Sequence, residues 1–415
     1  MSDNSRAASR SRGLLSNMGT YKISTASRLA RSLTNPFAAY AAGFTLAIAV
    51  YSLGYSDLYP PLLLSLKWFL LATCAVSALL AYASSNSAHL TDAIGEHVGT
   101  QLAIFLAIMS VFALEVIVNR GIPLLLIAAD ADFSYRDFGI PAIHVAFVGS
   151  CYFFAVFWFD LYMLGNGRLF LGFSATALGT SLLIVNRGAF ILTLMAIIIV
   201  YIRRRGLNRR LLLSFGLLAG VVLWGFGVLG DLRTHGLSGE SIILSVGDAS
   251  DKFLNSKIPT EFFWPYLYTS SPLANLQLNI TDRLSTDTPS LYFMLEYLPD
   301  FVSKRLVPEA SIVAASPLLV TDQLTVCTMY GRAFLLMGWL GLILGFAYFV
   351  AVSLVCLSLL KRSKYFVATA GVLSAIAFLG IFDNMYINSG GILLVLTALL
   401  LSRFERKPVA EDLLI

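Results

Sequence analysis

Apolar runs of similar length recur along this chain and leave it few possible folds. About ten of them approach the roughly 20 residues that carry a helix across a hydrocarbon core of about 30 Å. They are Pro36–Tyr55, Pro61–Ala83, Thr100–Val118, Ala142–Leu164, Leu169–Val185, Ala189–Ile202, Leu211–Leu229, Ala333–Leu359, Tyr365–Phe382 and Gly390–Arg403, the fifth, sixth and tenth being short. Lipid offers backbone N–H and C=O groups no hydrogen-bond partner, so each run is expected as a helix. Only 13% of the 415 residues are charged and 57% are hydrophobic; a soluble core of this length needs more charge to cover it. The expected fold is all-α and polytopic.

Charge sets the expected orientation. Arg6, Arg10, Arg12, Lys22, Arg28 and Arg31 precede the first run, and Arg203-Arg204-Arg205 with Arg209-Arg210 follow the sixth. Lys361-Arg362 with Lys364 follow the eighth, and Arg403, Arg406 and Lys407 follow the tenth. Alternating crossings place all four blocks on one side, which the positive-inside bias makes cytoplasmic, so both termini are expected inside. Basic residues gathered at helix ends are not a nucleic-acid footprint. The Ser- and Arg-rich start lacks a convincing small-residue cleavage site and reads as a tail before an uncleaved first helix.

Five regions follow: a basic tail at 1–35, a membrane domain of seven helices at 36–229, an outer loop domain at 230–329, three further helices at 330–403, and a tail at 404–415. The loop carries 11 acidic residues against 6 Lys or Arg, the reverse of the inner connections. Its aromatic runs Phe262–Tyr268 and Tyr292–Tyr297 are too apolar for a solvated chain, so short helices against the outer membrane surface are expected. The stretch Ile122–Ala129 is too short to span and is expected to be re-entrant or interfacial. Glycines recurring in the seventh run (Gly216, Gly220, Gly225, Gly227) and the eighth (Gly338, Gly341, Gly345) are expected at close helix contacts.

No Walker, Gly-x-Ser-x-Gly, His-Glu-x-x-His or Cys-x-x-Cys pattern occurs, and four cysteines and four histidines show no metal-ligand spacing. No cofactor and no metal is expected. The polar residues instead gather at the outer ends of runs: Arg120, Arg136, Arg187, Asp231, Arg233, His235, Arg283, Arg332 and Asp383. Arg187 is the most exposed to argument. It sits in Asn186-Arg187-Gly188, at a hairpin tip on the side where arginine is disfavoured, and either snorkels to the interface or holds an anion. Guanidinium suits phosphate through its planar two-donor fork. Arg187 and Arg233, then Arg136 and Arg332, are the candidate anion ligands. Asp231, His235 and Glu261 are candidate bases, and no choice among them follows from sequence. Tyr268 and Asn275 are candidates to line a sugar site.

Four stretches together resemble the Wzy-type oligosaccharide repeat-unit polymerases (O-antigen polymerases). They are Gly121–Leu125 followed by Tyr135–His144; Asn186-Arg187-Gly188-Ala189; Leu229-Gly230-Asp231-Leu232-Arg233; and Tyr266–Leu276 with the later Tyr330-Gly331 and Gly338-Trp339-Leu340-Gly341. The resemblance runs from about the third span to the tenth. It implies a glycosyltransferase of the bacterial inner membrane, active on the periplasmic face, using undecaprenyl-diphosphate-linked oligosaccharides and no nucleotide donor. A chain-length regulator is a partner the family often works with, though no docking motif is visible; no nucleic acid is involved. Arginines facing outward suit a diphosphate leaving group. The alternatives are an O-antigen ligase, whose loop histidine followed by Asn is missing here, and a lipid-linked glycan transporter, for which the spans carry too little buried charge.

Overall fold

A computed structural model describes residues 32, 34–84, 96–129, 138–234, 242–282 and 285–404. Among them the chain is helical throughout, with no strand and one isolated antiparallel bridge, Ser56 to Ala249. Every apolar run forms a helix: α1 (Pro36–Tyr51), α2 (Leu64–Ser84), α3 (Val98–Val118), α5 (Ile143–Met163), α6 (Arg168–Leu183), α7 (Arg187–Arg205), α8 (Arg209–Thr234), α15 (Gly331–Leu360), α16 (Phe366–Leu379) and α17 (Ser389–Arg403). Five helical segments, Leu64–Ser84, Val98–Ala128, Ile143–Met163, Arg209–Val228 and Gly331–Leu360, are long and apolar enough to cross a membrane. Between α3 and α5 lies α4 (Pro123–Ala128), a short helix with Leu124, Leu125 and Ile127 exposed.

Helices that are apolar on all sides belong inside a bundle, and α5 and α16 show it. Phe153, Ala155, Val156, Phe157 and Trp158 on α5 have no exposed surface, nor do Ala368, Val372, Leu373, Ala375 and Ile376 on α16. Around them pack α1, α6, α7 and α17. Helix α8 is peripheral, with Leu212, Leu213, Leu217, Leu218, Val221 and Val222 exposed. Its glycines correct the expectation of close packing. Nothing lies within 4 Å of a side-chain carbon at Gly216, Gly220 or Gly225; Gly227 meets the Glu261 backbone and Gly230 the Trp264 ring, both at the outer end. Close approaches fall elsewhere, at Gly43 against Phe378 O, Gly371 against Ala196 O and Gly149 against Leu393.

One basic block is built differently from a loose surface cluster. Arg204 is 4% exposed and forks onto Asp160 of α5, with Nε to Oδ1 at 2.6 Å and Nη2 to Oδ2 at 2.9 Å. Arg203 is buried too; its Nη1 donates to Thr34 O and its guanidinium lies 5.3 Å from the Phe366 ring. Nearby Lys364 pairs with Glu96, which accepts from Gln101 Nε2, and Gln101 accepts from Trp158 Nε1 at 2.9 Å. Two of the three arginines in Arg203–Arg205 therefore fasten helices together.

The outer segment after α8 comprises α9 (Ile242–Val246), α10 (Asp251–Leu254), a 3-10 turn (Thr260–Phe262), α11 (Phe263–Asp282), α12 (Pro289–Glu296), α13 (Asp300–Leu306) and α14 (Glu309–Ala314). It is not a separate cap. Helix α11 is 20 residues long and mostly buried, packed on α1 and the α1–α2 turn. Tyr266 Oη accepts from Tyr55 N–H at 3.0 Å, and Gln277 Oε1 accepts from Leu63 N–H at 2.7 Å.

Candidate functional site

The first turns of α15 carry Arg332 and end at Gly338, whose φ of 56° and ψ of −141° interrupt the helix. Only glycine tolerates that conformation without strain. The interruption orphans the Leu335 and Leu336 carbonyls, and Thr286 and Thr288 N–H groups fill them at 2.8 and 2.9 Å. This ties the segment ahead of α12 to the kink, while Tyr292 of α12 donates its hydroxyl to Gly341 O at 3.1 Å. The C-terminal Glu296 of α12 is thereby set beside Arg332.

Glu296 is 3% exposed and accepts at both oxygens, from Arg332 Nε at 2.7 Å and Asn384 Nδ2 at 3.0 Å. Asn384 belongs to the α16–α17 connector. That connector is stitched to the outer segment by Met329 N–H to Gly380 O and Asp300 N–H to Ile387 O, both 2.8 Å. Asp383 precedes Asn384 and accepts its N–H at 2.8 Å. Arg332, Glu296, Asp383 and Asn384 together line a cavity of about 180 Å³ that is closed on the other side by Pro317 and Thr325–Met329.

Burial raises the Glu296 carboxyl above the ordinary carboxylate range, with Arg332 and Asn384 pulling partly back. Asp383 is exposed to the cavity, and the protein crowded around it raises its carboxyl, its Asn384 hydrogen bond and Arg332 offsetting part of the effect. Cys327 is held as the thiol, its pKa driven up by burial. One guanidinium, already neutralised by Glu296, faces a second carboxylate. This charge balance does not attract a diphosphate. It suits a polyhydroxyl ligand and a carboxylate placed to take a proton.

The residues singled out from sequence do not converge on one place. Arg332 lies in this cavity, paired to Glu296. Asp231, Glu261 and Tyr268 form a second group where α8 meets the start of α11. There Asp231 accepts from Trp264 Nε1 at 2.9 Å, and half-exposed Tyr268 stands edge-on to Phe226 at 5.1 Å. Asn275 is corrected from sugar ligand to clamp. It is fully buried; Nδ2 donates to Leu324 O and Val326 O, Oδ1 accepts from Val320 N–H, and no sugar can reach it. Arg187 stands exposed at its hairpin tip, without an ion-pair partner among the described residues. Arg136 and His235 lie outside the described residues, as does the side chain of Arg233.

Sequence reasoning passed over Glu296 and Asn384 and gave Asp383 no role. Phe382-Asp383-Asn384 at the end of an apolar run was a usable signal, since ionisable residues at span ends are costly without a task. Glu296, one acid inside an aromatic run, gave no comparable sign. No family model, no curated protein and no solved structure matches this chain.

Proposed function

We propose that this chain polymerises lipid-diphosphate-linked oligosaccharides on the outer face of a bacterial inner membrane, with all ten apolar helices crossing and both termini cytoplasmic. The observation that carries the reading is the Arg332–Glu296–Asp383 cavity, walled by the outer segment and the α16–α17 connector. The topology draws support from which connections touch. Residues 53–63 meet 247–277, and Asp300 and Met329 meet 380–387, all assigned to the outer side. Glu96 meets Lys364 and Arg203 meets Thr34, both assigned to the inner side.

In this reading a sugar hydroxyl of the incoming repeat unit sits in the cavity and gives its proton to Asp383. The hydroxyl oxygen bonds to the anomeric carbon of the growing chain as that carbon's bond to phosphate breaks, and the lipid diphosphate departs. A carboxyl whose pKa lies nearer neutrality is a better base than an ordinary one. Arg332, fixed by Glu296, orients the acceptor.

The test is a glycan ladder from a deletion strain complemented at matched membrane levels by wild type and by Asp383→Asn. Wild type restores the ladder, and the variant leaves a single capped repeat unit. A parental ladder from the variant removes Asp383 as base. Loss of even the single unit in the deletion strain points to ligation or flipping and overturns the polymerase reading.

A further inference from the structure

On the other side of the α16–α17 connector lies a second cavity, of about 260 Å³. Phe382, Asp383 and Asn384 face the first cavity, whereas Met385, Asn388 and Gly390 face the second. The two differ in chemistry. The first is lined by carboxylates. The second has none on its surface and is ringed by donors.

His144 is the central one. Its Nδ1 lies 2.9 Å from Oε2 of Glu115, which has no exposed surface and also accepts from Ile140 N–H at 3.2 Å. A carboxylate only accepts, so Nδ1 carries a proton and Nε2 is the ring nitrogen left for the cavity. The turn before α5 is shaped around this ring. Gly139 has φ 106° and no room for a side-chain carbon over the imidazole, and Ala142 is held at φ 67°. Positive φ is strained for a non-glycine residue such as Ala142 and persists where the surroundings enforce it.

Two asparagines add donors. Asn186 Oδ1 caps α7 by accepting from Ala189 N–H at 3.0 Å, and Asn388 Oδ1 caps α17 by accepting from Gly390 N–H at 2.9 Å. With both acceptors so occupied, each amide presents its NH2 group instead. Arg187 is exposed and lies between the lining residues Asn186 and Gly188 in the chain. Below, Val148, Leu192 and Leu393 make an apolar floor, closed where Gly149 lets α5 and α17 touch. At about 260 Å³ it has room for a headgroup rather than a long chain.

We propose that this cavity binds the phosphate-bearing headgroup of the lipid-linked glycan donor, with His144 as a ligand oriented by Glu115. A proton taken up together with the phosphate gives the ring, backed by Glu115, an Nε2–H to donate to a phosphate oxygen, and Asn186, Asn388 and Arg187 supply the remaining donors. This rests on the polymerase reading for the identity of the ligand. It places the donor's phosphate on the α16–α17 connector, the same segment that carries Asp383.

The probes are farnesyl diphosphate and inorganic diphosphate, with the full chain in phosphatidylcholine nanodiscs. Wild type binds farnesyl diphosphate and inorganic diphosphate displaces it. His144→Ala and Glu115→Gln each weaken binding by about tenfold, the loss of one charge-assisted hydrogen bond. Leu192→Phe, filling the floor from another helix, weakens it as well. His144→Gln, which keeps size and one donor, gives an intermediate loss and answers the question should the alanine variant misassemble, as judged by elution and melting. Unchanged affinity within about twofold in the His144 and Leu192 variants overturns the proposal. So does failure of wild type to bind, or failure of inorganic diphosphate to compete, which would place recognition in the isoprenoid. Diphosphate binding that survives a failed ladder experiment would retain this site while rejecting the polymerase.

Discussion

Asp383 and Glu296 show how much a single side chain's surroundings decide. Both carboxyls are pushed upward by the protein around them, but Glu296 is buried and tied at both oxygens while Asp383 is exposed to the cavity. As a base, Asp383 works only when ionised, so polymerisation should fall as pH drops through a value above the ordinary carboxylate range of about 4. Asp383→Asn should lower the rate by about 10²–10⁴ and abolish that limb, measured on membranes across a pH series. The sign for stability is opposite. A carboxyl with a raised folded pKa contributes stability while protonated and loses it as pH rises through that value. The asparagine, which never ionises, should therefore melt no lower than wild type at neutral pH. A large drop in melting temperature would reveal a structural Asp383 instead.

Helix ends and interruptions carry the next scale. Gly338 was visible as one of several glycines in an apolar run, but only the fold shows that it breaks the helix and the others do not. Gly338→Ala should cost about 1–3 kcal/mol, because its φ of 56° with ψ of −141° lies in glycine territory; a thermal melt in detergent checks it. The Asp160–Arg204 fork joins α5 to α7 away from water. Asp160→Ala strands a buried guanidinium and should cost roughly 3–5 kcal/mol, whereas the pair Asp160→Leu with Arg204→Met should recover most of it. Equal melting of the single and double variants would show that the pair is dispensable. From sequence these arginines were only a topological marker. Burial gave them a partner that no spacing rule announces, since Asp160 and Arg204 are 44 residues apart.

Across the whole molecule, two sets of contacts gather at opposite ends of the bundle, and no described hydrogen bond joins one set to the other. That pattern predicts the outcome of topology reporters. An alkaline phosphatase fusion after residue 300 should be active, and one after residue 363 inactive; the reverse, or activity at both, would break the ten-crossing arrangement. The existence and extent of the apolar helices were legible in the chain because lipid leaves a long apolar segment only the helix. The kink in α15 was not legible in the same way, since Gly338 was expected at a helix contact and only the fold shows it interrupting the helix. Convergence is different, because it depends on which helices pack. Asn275 looked like a sugar ligand until its amide was seen holding residues 320–326. Glu296, Arg332 and Asp383 are far apart in the chain and meet only where α12 docks against α15 and the α16–α17 connector. Sequence alone determined the helices, through the period and length of their apolar residues. Tertiary structure alone decided which polar groups share a cavity, because burial and charge compensation act between segments that no local pattern relates.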